Sequence, residues 1–178
     1  GAVAFGPDAT LLSTASVDGT ARLWELPSGK ERLRAVQPGG SEVVQFSPDG
    51  RFVASGGMSG ALDIWNLDRG DQMSRIAHND DVSIVRVSPD GKLLATGSRG
   101  IVHVWSPSGE LRPVSVKLPT VAIDRLVFSE RATHLAALWG SKLFLIDVGR
   151  KLNVTQLADS GATGNVAIGS RSLAVSDR

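Results

Sequence analysis

One phrase returns along this sequence at a fixed interval. VQFSPDGRFVASGG, beginning at Val44, is echoed by VAFGPDATLLSTAS at Val3 and by VRVSPDGKLLATGS at Val85. Phe5, Phe46, Val87 and Phe128 stand 41 residues apart; Trp24, Trp65 and Trp105 are separated by 41 and 40, and Ile146 follows Trp105 by 41. The single missing residue falls between Ser98 and Gly100, in a turn, where a deletion disturbs least. A fourth, worn copy therefore runs from about Ile123 to Val148, and VAIGSRSLAVS at Val166 reads as the first two strands of a fifth. A period of this length restricts the fold severely. Each repeat is too small to bury its own apolar surface, so neighbouring repeats must stack on one another.

Within a copy the turn chemistry predicts antiparallel hairpins. In Ser-Pro-Asp-Gly, Pro48 or Pro89 presets φ, Asp49 or Asp90 bonds the local backbone, and Gly50 or Gly91 takes a positive φ. Asp18-Gly19, Ser59-Gly60 and Arg99-Gly100 mark the second turn. On the third strand Ala21, Leu23, Leu62, Ile64, Val102, Val104, Leu143 and Leu145 share one face, while Trp24, Trp65, Trp105 and Ile146 take the other. Both faces are apolar, so the strand is expected to be sandwiched between neighbours. The expected fold is all-β: β-propeller blades of four antiparallel strands, about four blades plus a partial fifth, with boundaries near 1–37, 38–77, 78–117, 118–158 and 159–178.

Composition narrows the function classes. The chain is 42% hydrophobic and 21% charged, enough apolar material for a real core. Nineteen Lys and Arg face eighteen Asp and Glu with no block of one sign, so the electrostatic footprint of a nucleic-acid binder is missing. Lys30-Glu31-Arg32-Leu33-Arg34, the nearest basic cluster, contains its own acid and reads as a solvated strand. With no cysteine, disulfides, thiolate zinc sites and a cysteine nucleophile are excluded. No apolar run approaches a membrane span, and the expected setting is cytoplasmic.

At these repeated phrases the sequence resembles the WD-repeat family, whose blade pattern runs from a Gly-His pair through Ser-Pro-Asp-Gly and Asp-Gly-Thr to a strand ending Trp-Asp. The resemblance implies a hydrogen-bonded set of His, Ser or Thr, Asp and Trp in each blade, here present only in pieces. The first copy offers Thr14, Asp18 and Trp24. The second offers Ser55 and Trp65, with Gln37 at the His position and Ser59 at the Asp position. The third has His78, Thr96 and Trp105 and has lost the Asp through the deletion. The fourth has none, because Ile146 replaces Trp and Trp139 sits on the preceding strand.

No catalytic constellation stands out. His78, His103 and His134 are not at metal-ligand spacing, and neither a Gly-x-Ser-x-Gly elbow nor a phosphate-cradling Gly-rich loop is present. Acidic pairs such as Asp80-Asp81, or Asp18 with Asp63, have no base that sequence identifies. We expect no catalytic residue, no metal and no cofactor.

The resemblance implies that the loops before the first strand and after the second cluster on one face, the usual docking surface of the family. Here that face carries Val17, Gln37 to Glu42, Met58, Ser59, His78, Asn79, Asp80, Asp81, Arg99, Pro119 and Thr120. The expected function is a non-catalytic protein-protein interaction scaffold, or a sensor module attached to a signalling enzyme. Its partners are other proteins or peptides on that face and the remaining blades of a longer, seven-bladed propeller, with neither nucleic acid nor membrane among them. The alternative is the propeller domain of an enzyme such as a peptidase, where blades gate or orient substrate.

Overall fold

A computed structural model of the chain describes residues 1–107, 114–119, 122–148, 153–157, 165–168 and 173–176. The first sheet contains β1 (Ala2–Phe5), β2 (Leu11–Ala15), β3 (Thr20–Glu25) and β4 (Lys30–Val36). The second contains β5 (Ser41–Phe46), β6 (Phe52–Gly57), β7 (Ala61–Asn66) and β8 (Gln72–Ala77). The third contains β9 (Ile84–Val87), β10 (Leu94–Ser98), β11 (Ile101–Trp105) and β12 (Val114–Lys117), and the fourth β13 (Arg125–Phe128), β14 (His134–Trp139), β15 (Lys142–Asp147) and β16 (Asn153–Leu157). A fifth pair, β17 (Asn165–Ile168) and β18 (Leu173–Ser176), begins the pattern again. In every sheet each strand pairs antiparallel with the next in sequence, and no helix occurs among the described residues.

Local chemistry at the turns explains the hairpins. The Ser47 hydroxyl donates to Asp49 Oδ1 at 2.6 Å and accepts from the Phe52 amide, while Asp49 accepts from the Arg51 amide. Ser88, Asp90, Lys92 and Leu93 repeat this pattern. Gly50 and Gly91 close these turns at φ +71° and +70°, a conformation that glycine adopts without steric cost. Ala9 and Ala132 occupy the same slot in the first and fourth copies at φ +59° and +55°. In the third copy Ser98 pairs directly with Ile101, leaving Arg99 and Gly100 as the whole turn, both at positive φ. That two-residue turn matches strand twist and is the physical result of the one-residue deletion.

The sheets then stack as propeller blades. Their first strands make contact in succession, β1 with β5, β5 with β9, β9 with β13 and β13 with β17. Between sheets the Leu/Ile face of one third strand meets the Trp face of the next blade. Leu23 packs with Phe46, Val53 and Trp65; Leu62 and Ile64 with Val85, Val87, Leu94 and Trp105; Val102 and Val104 with Leu126, Phe128, Leu135 and Ile146. Central strands are consequently buried on both sides, β6 and β10 along their whole length. Pairing slips by one residue at Leu23/Trp24 and at Ile64/Trp65, where the outer strand carries an extra residue, Arg32 in the first sheet and Met73 in the second. Among the described residues no sheet covers Phe5, which is 66% exposed, whereas Phe46, Val87 and Phe128 at the same position are 7–8% exposed under the preceding blade.

An alanine at left-handed φ carries about 1–2 kcal/mol of strain, of which glycine returns about 0.5–1 through its unfolded-state entropy. Ala9→Gly and Ala132→Gly should therefore each raise stability, by up to about 1 kcal/mol. Urea unfolding of the full chain reads this as a higher midpoint; a lower midpoint for both variants contradicts the strain assignment.

Candidate interaction face and the positions beneath it

Four structurally equivalent positions lie under the loop face in successive blades, and the sequence fills them in four ways. In the first, Trp24 Nε1 donates to Thr14 Oγ1 at 3.1 Å. Asp18 does not join them: it accepts from the amide and hydroxyl of Thr20 and from Arg22 Nη2, which fixes the turn. Arg22 in turn lies over the Trp24 ring at 5.9 Å.

The second blade departs from the expected set. Gln37 Nε2 donates to Ser55 Oγ at 3.1 Å, but its carboxylate partner is Asp63 at 2.9 Å, not a residue of the turn. Ser59, expected at the Asp position, accepts only from the Ala61 amide. Asp63 is fully buried and accepts four side-chain hydrogen bonds: from Gln37, from Gln72 and, bidentately, from Arg75. This hydrogen bonding raises the Arg75 guanidinium above its ordinary pKa. Arg75 Nη2 also reaches the Val36 carbonyl of the first sheet at 3.2 Å, tying two blades together. With Gln37 on Ser55, Trp65 Nε1 is left without a partner among the described residues, so the expected Ser55–Trp65 link is absent. Asp63 lay in plain sight as one of the unpaired acids. Its cross-strand neighbours are Ser55, which Gln37 also binds, on one side and its partner Arg75 on the other, and registering the repeat strand against strand would have brought Asp63 and Arg75 together.

In the third blade Trp105 Nε1 donates to Thr96 Oγ1 at 3.0 Å, and Thr96 Oγ1 lies 2.8 Å from His78 Nε2. With Trp105 donating to Oγ1, the tautomer in which the Thr96 hydroxyl donates to Nε2 places the ring proton on Nδ1. That Nδ1 is buried and unpartnered, the place a carboxylate would occupy had the turn not been shortened. The His103 ring meets His78 edge-on at 4.7 Å and stacks on Trp105, its own Nδ1 2.7 Å from Ser115 Oγ. Burial, assisted by the neighbouring His103, lowers the His78 pKa to about 4, and burial also lowers that of His103. In the fourth blade Leu118, Ala137, Phe144 and Ile146 replace the polar set with one apolar cluster. Trp139 stays on β14, with Lys142 Nζ over its ring at 5.4 Å.

Backbone bonds carry the loop face on these positions. The first residue after each outer strand donates its amide to the turn glycine of the same blade: Gln37 to Gly19, His78 to Gly60 and Leu118 to Gly100, at 2.7–2.8 Å. Gly60 permits this at φ +72°; a Cβ there would stand 2.7 Å from the His78 carbonyl oxygen and 2.8 Å from that of Asp80. Between the second and third blades the loops border a cavity of about 360 Å³, open to solvent and lined by Glu42, Met58, Ser59, Asn79, Asp80, Asp81 and Arg99. Arg99 Nε stands 3.3 Å from Asp80 Oδ1 and 3.5 Å from Asp81 Oδ1. Met58 is 59% exposed. Val17, also exposed, lies outside the cavity and against Gly40; the His78 ring turns inward to Thr96, and Thr120 falls outside the described residues. A larger groove of about 550 Å³ opens at the other end of the same blades, with Asp49, Asp68 and Asp90 facing Arg51, Lys92 and Arg131.

The WD domain, G-beta repeat family model matches residues 1–25, 41–66 and 70–106, the three copies that carry the repeated tryptophan. None of the curated proteins matches the sequence. The chain belongs to the WD-repeat family. Members of this class generally mediate protein-protein interaction and scaffolding and are typically non-catalytic.

Two outcomes follow from the buried groups. Asp63→Asn removes the charge that Arg75 and two glutamines converge on and should destabilise the chain by about 3 kcal/mol, read by urea unfolding; a change below about 0.5 kcal/mol would show the network to be dispensable. His78 is neutral in the fold, and the unfolded chain takes up its proton first as pH falls from its ordinary value of 6.5 towards 4. Its stabilising contribution, intact above pH 6.5, should thus fall by about 2 kcal/mol between pH 7.5 and 5. His78→Gln should flatten that dependence, and an unchanged pH profile in the variant would assign it elsewhere.

Proposed function

We propose that this chain is a non-catalytic docking module, a scaffold or sensor element whose loop face receives a protein or peptide partner. The observation that carries the reading is the convergence of Met58, Ser59, Asn79, Asp80, Asp81 and Arg99 on one cavity. Three separate loops of two blades supply them, and most make no contribution to the core. Side chains released from packing on a rigid frame are the usual carriers of recognition, and an exposed methionine beside an arginine suits a mixed apolar and ionic contact. Family membership supports the same general role. The scaffold beneath is stiffened by inter-blade burial, so the loops need little ordering on binding.

The test compares the two ends of the blades. Met58→Asp, on the loop face, should weaken capture of the chain's cellular partners by at least about tenfold while leaving the thermal midpoint unchanged. Arg51→Glu with Lys92→Glu, at the opposite end, should leave capture intact. Quantitative proximity labelling with the full chain reads both, and the reverse pattern would move the docking surface to the other end.

A further inference from the structure

We infer that the cavity between the second and third blades receives a Lys or Arg side chain from the partner polypeptide. This rests on the docking reading above and specifies its chemistry. The charges of the cavity set its sign. The chain as a whole carries a net charge of +1, yet here Glu42, Asp80 and Asp81 face a single cation, Arg99. The Glu42 carboxylate has no ion-pair or hydrogen-bond partner among the described residues. The larger groove at the other end of the same blades holds three charges of each sign and has no such bias.

Arg99 itself displays what the site accepts. Its guanidinium sits between Asp80 and Asp81, held through one nitrogen at 3.3 and 3.5 Å and 70% exposed. A well-made guanidinium-carboxylate pair uses two parallel, shorter bonds; these contacts leave both carboxylates with accepting capacity to spare. Met58 supplies an apolar wall, which suits the methylene stem of a long basic side chain whose head reaches the carboxylates. At about 360 Å³ the cavity lies near the lower limit of ligand pockets, a size for one inserted side chain and not for a folded element. Arg99 then acts as an internal competitor that the incoming cation displaces or joins.

The full chain, labelled with ¹⁵N, is titrated with capped Gly-Ser peptides carrying a central Arg, Lys, citrulline or Glu, and amide shifts of residues 42, 58–59, 79–81 and 99 are followed. The Arg and Lys peptides should shift these resonances and bind at least about tenfold more tightly than the citrulline and Glu peptides, with affinity falling as salt is raised. Glu42→Gln combined with Asp81→Asn should weaken the Arg peptide by at least about tenfold, and Arg99→Ala should tighten it by about threefold or more. These substitutions, at half-buried Glu42 and Asp81 and exposed Arg99, are checked for an unchanged thermal midpoint. Preference for the Glu peptide, lost in Arg99→Ala, would overturn the inference while leaving the loop face as the docking surface. Absence of shifts with the Arg and Lys peptides up to about 5 mM, or shifts unaffected by the double variant, would overturn it as well. Capture insensitive to Met58→Asp would instead remove the docking reading on which it stands.

Discussion

The inner strands of each sheet are apolar on both faces, and the rest of the structure depends on covering both. A sheet with one greasy face can rest on a helix or another sheet and turn its back to water. Here the third strand sets Leu62 and Ile64 on one side and Trp65 on the other, so every sheet needs a neighbour in front and behind. At about 25 cal/mol per Å² of apolar surface, that requirement outweighs any single polar contact. It fixes the stack, and the stack fixes the end-on display of loops. Phe5 shows the rule by exception: with no described sheet in front of it, the position that is buried in three other copies stands exposed.

Once stacking supplies the cohesion, the polar set under the loop face is free to drift. A threonine-tryptophan pair, a glutamine-aspartate-arginine network, a histidine-threonine-tryptophan chain and a wholly aliphatic and aromatic plug serve equivalent places. What they share is that the volume is filled and nearly every buried donor or acceptor is answered. The exceptions are informative. Among the described residues Gln37 Oε1, Ser41 Oγ, Trp65 Nε1 and His78 Nδ1 stay unpartnered; beside Trp65 the Ser55 hydroxyl is engaged by Gln37, and in the blade of His78 the second turn is only two residues long.

The repeat period, the hairpin turns and the two-sided burial were legible in the sequence because each rests on local chemistry repeated at known spacing. Even the tight turn at Arg99-Gly100 could be read from a one-residue gap. The Asp63 network was not, since it replaces a family position with a residue from a different strand; the aligned slot pointed to Ser59, and only strand register brings Arg75 opposite Asp63. The loop residues formed a list without a shape. Which of them meet depends on how adjacent blades are rotated, and that geometry put Met58 and Arg99 around one cavity while leaving Val17 outside and turning the His78 ring inward.

The amide of His78 is anchored to the carbonyl of Gly60, and the three residues that follow it line the cavity. Because the anchor is main chain, it is indifferent to which side chains come next. Substitutions in Asn79-Asp80-Asp81 can therefore change the chemistry of the cavity while this bond holds the loop to the sheets below. A frame of this kind separates the inheritance of shape from the inheritance of specificity.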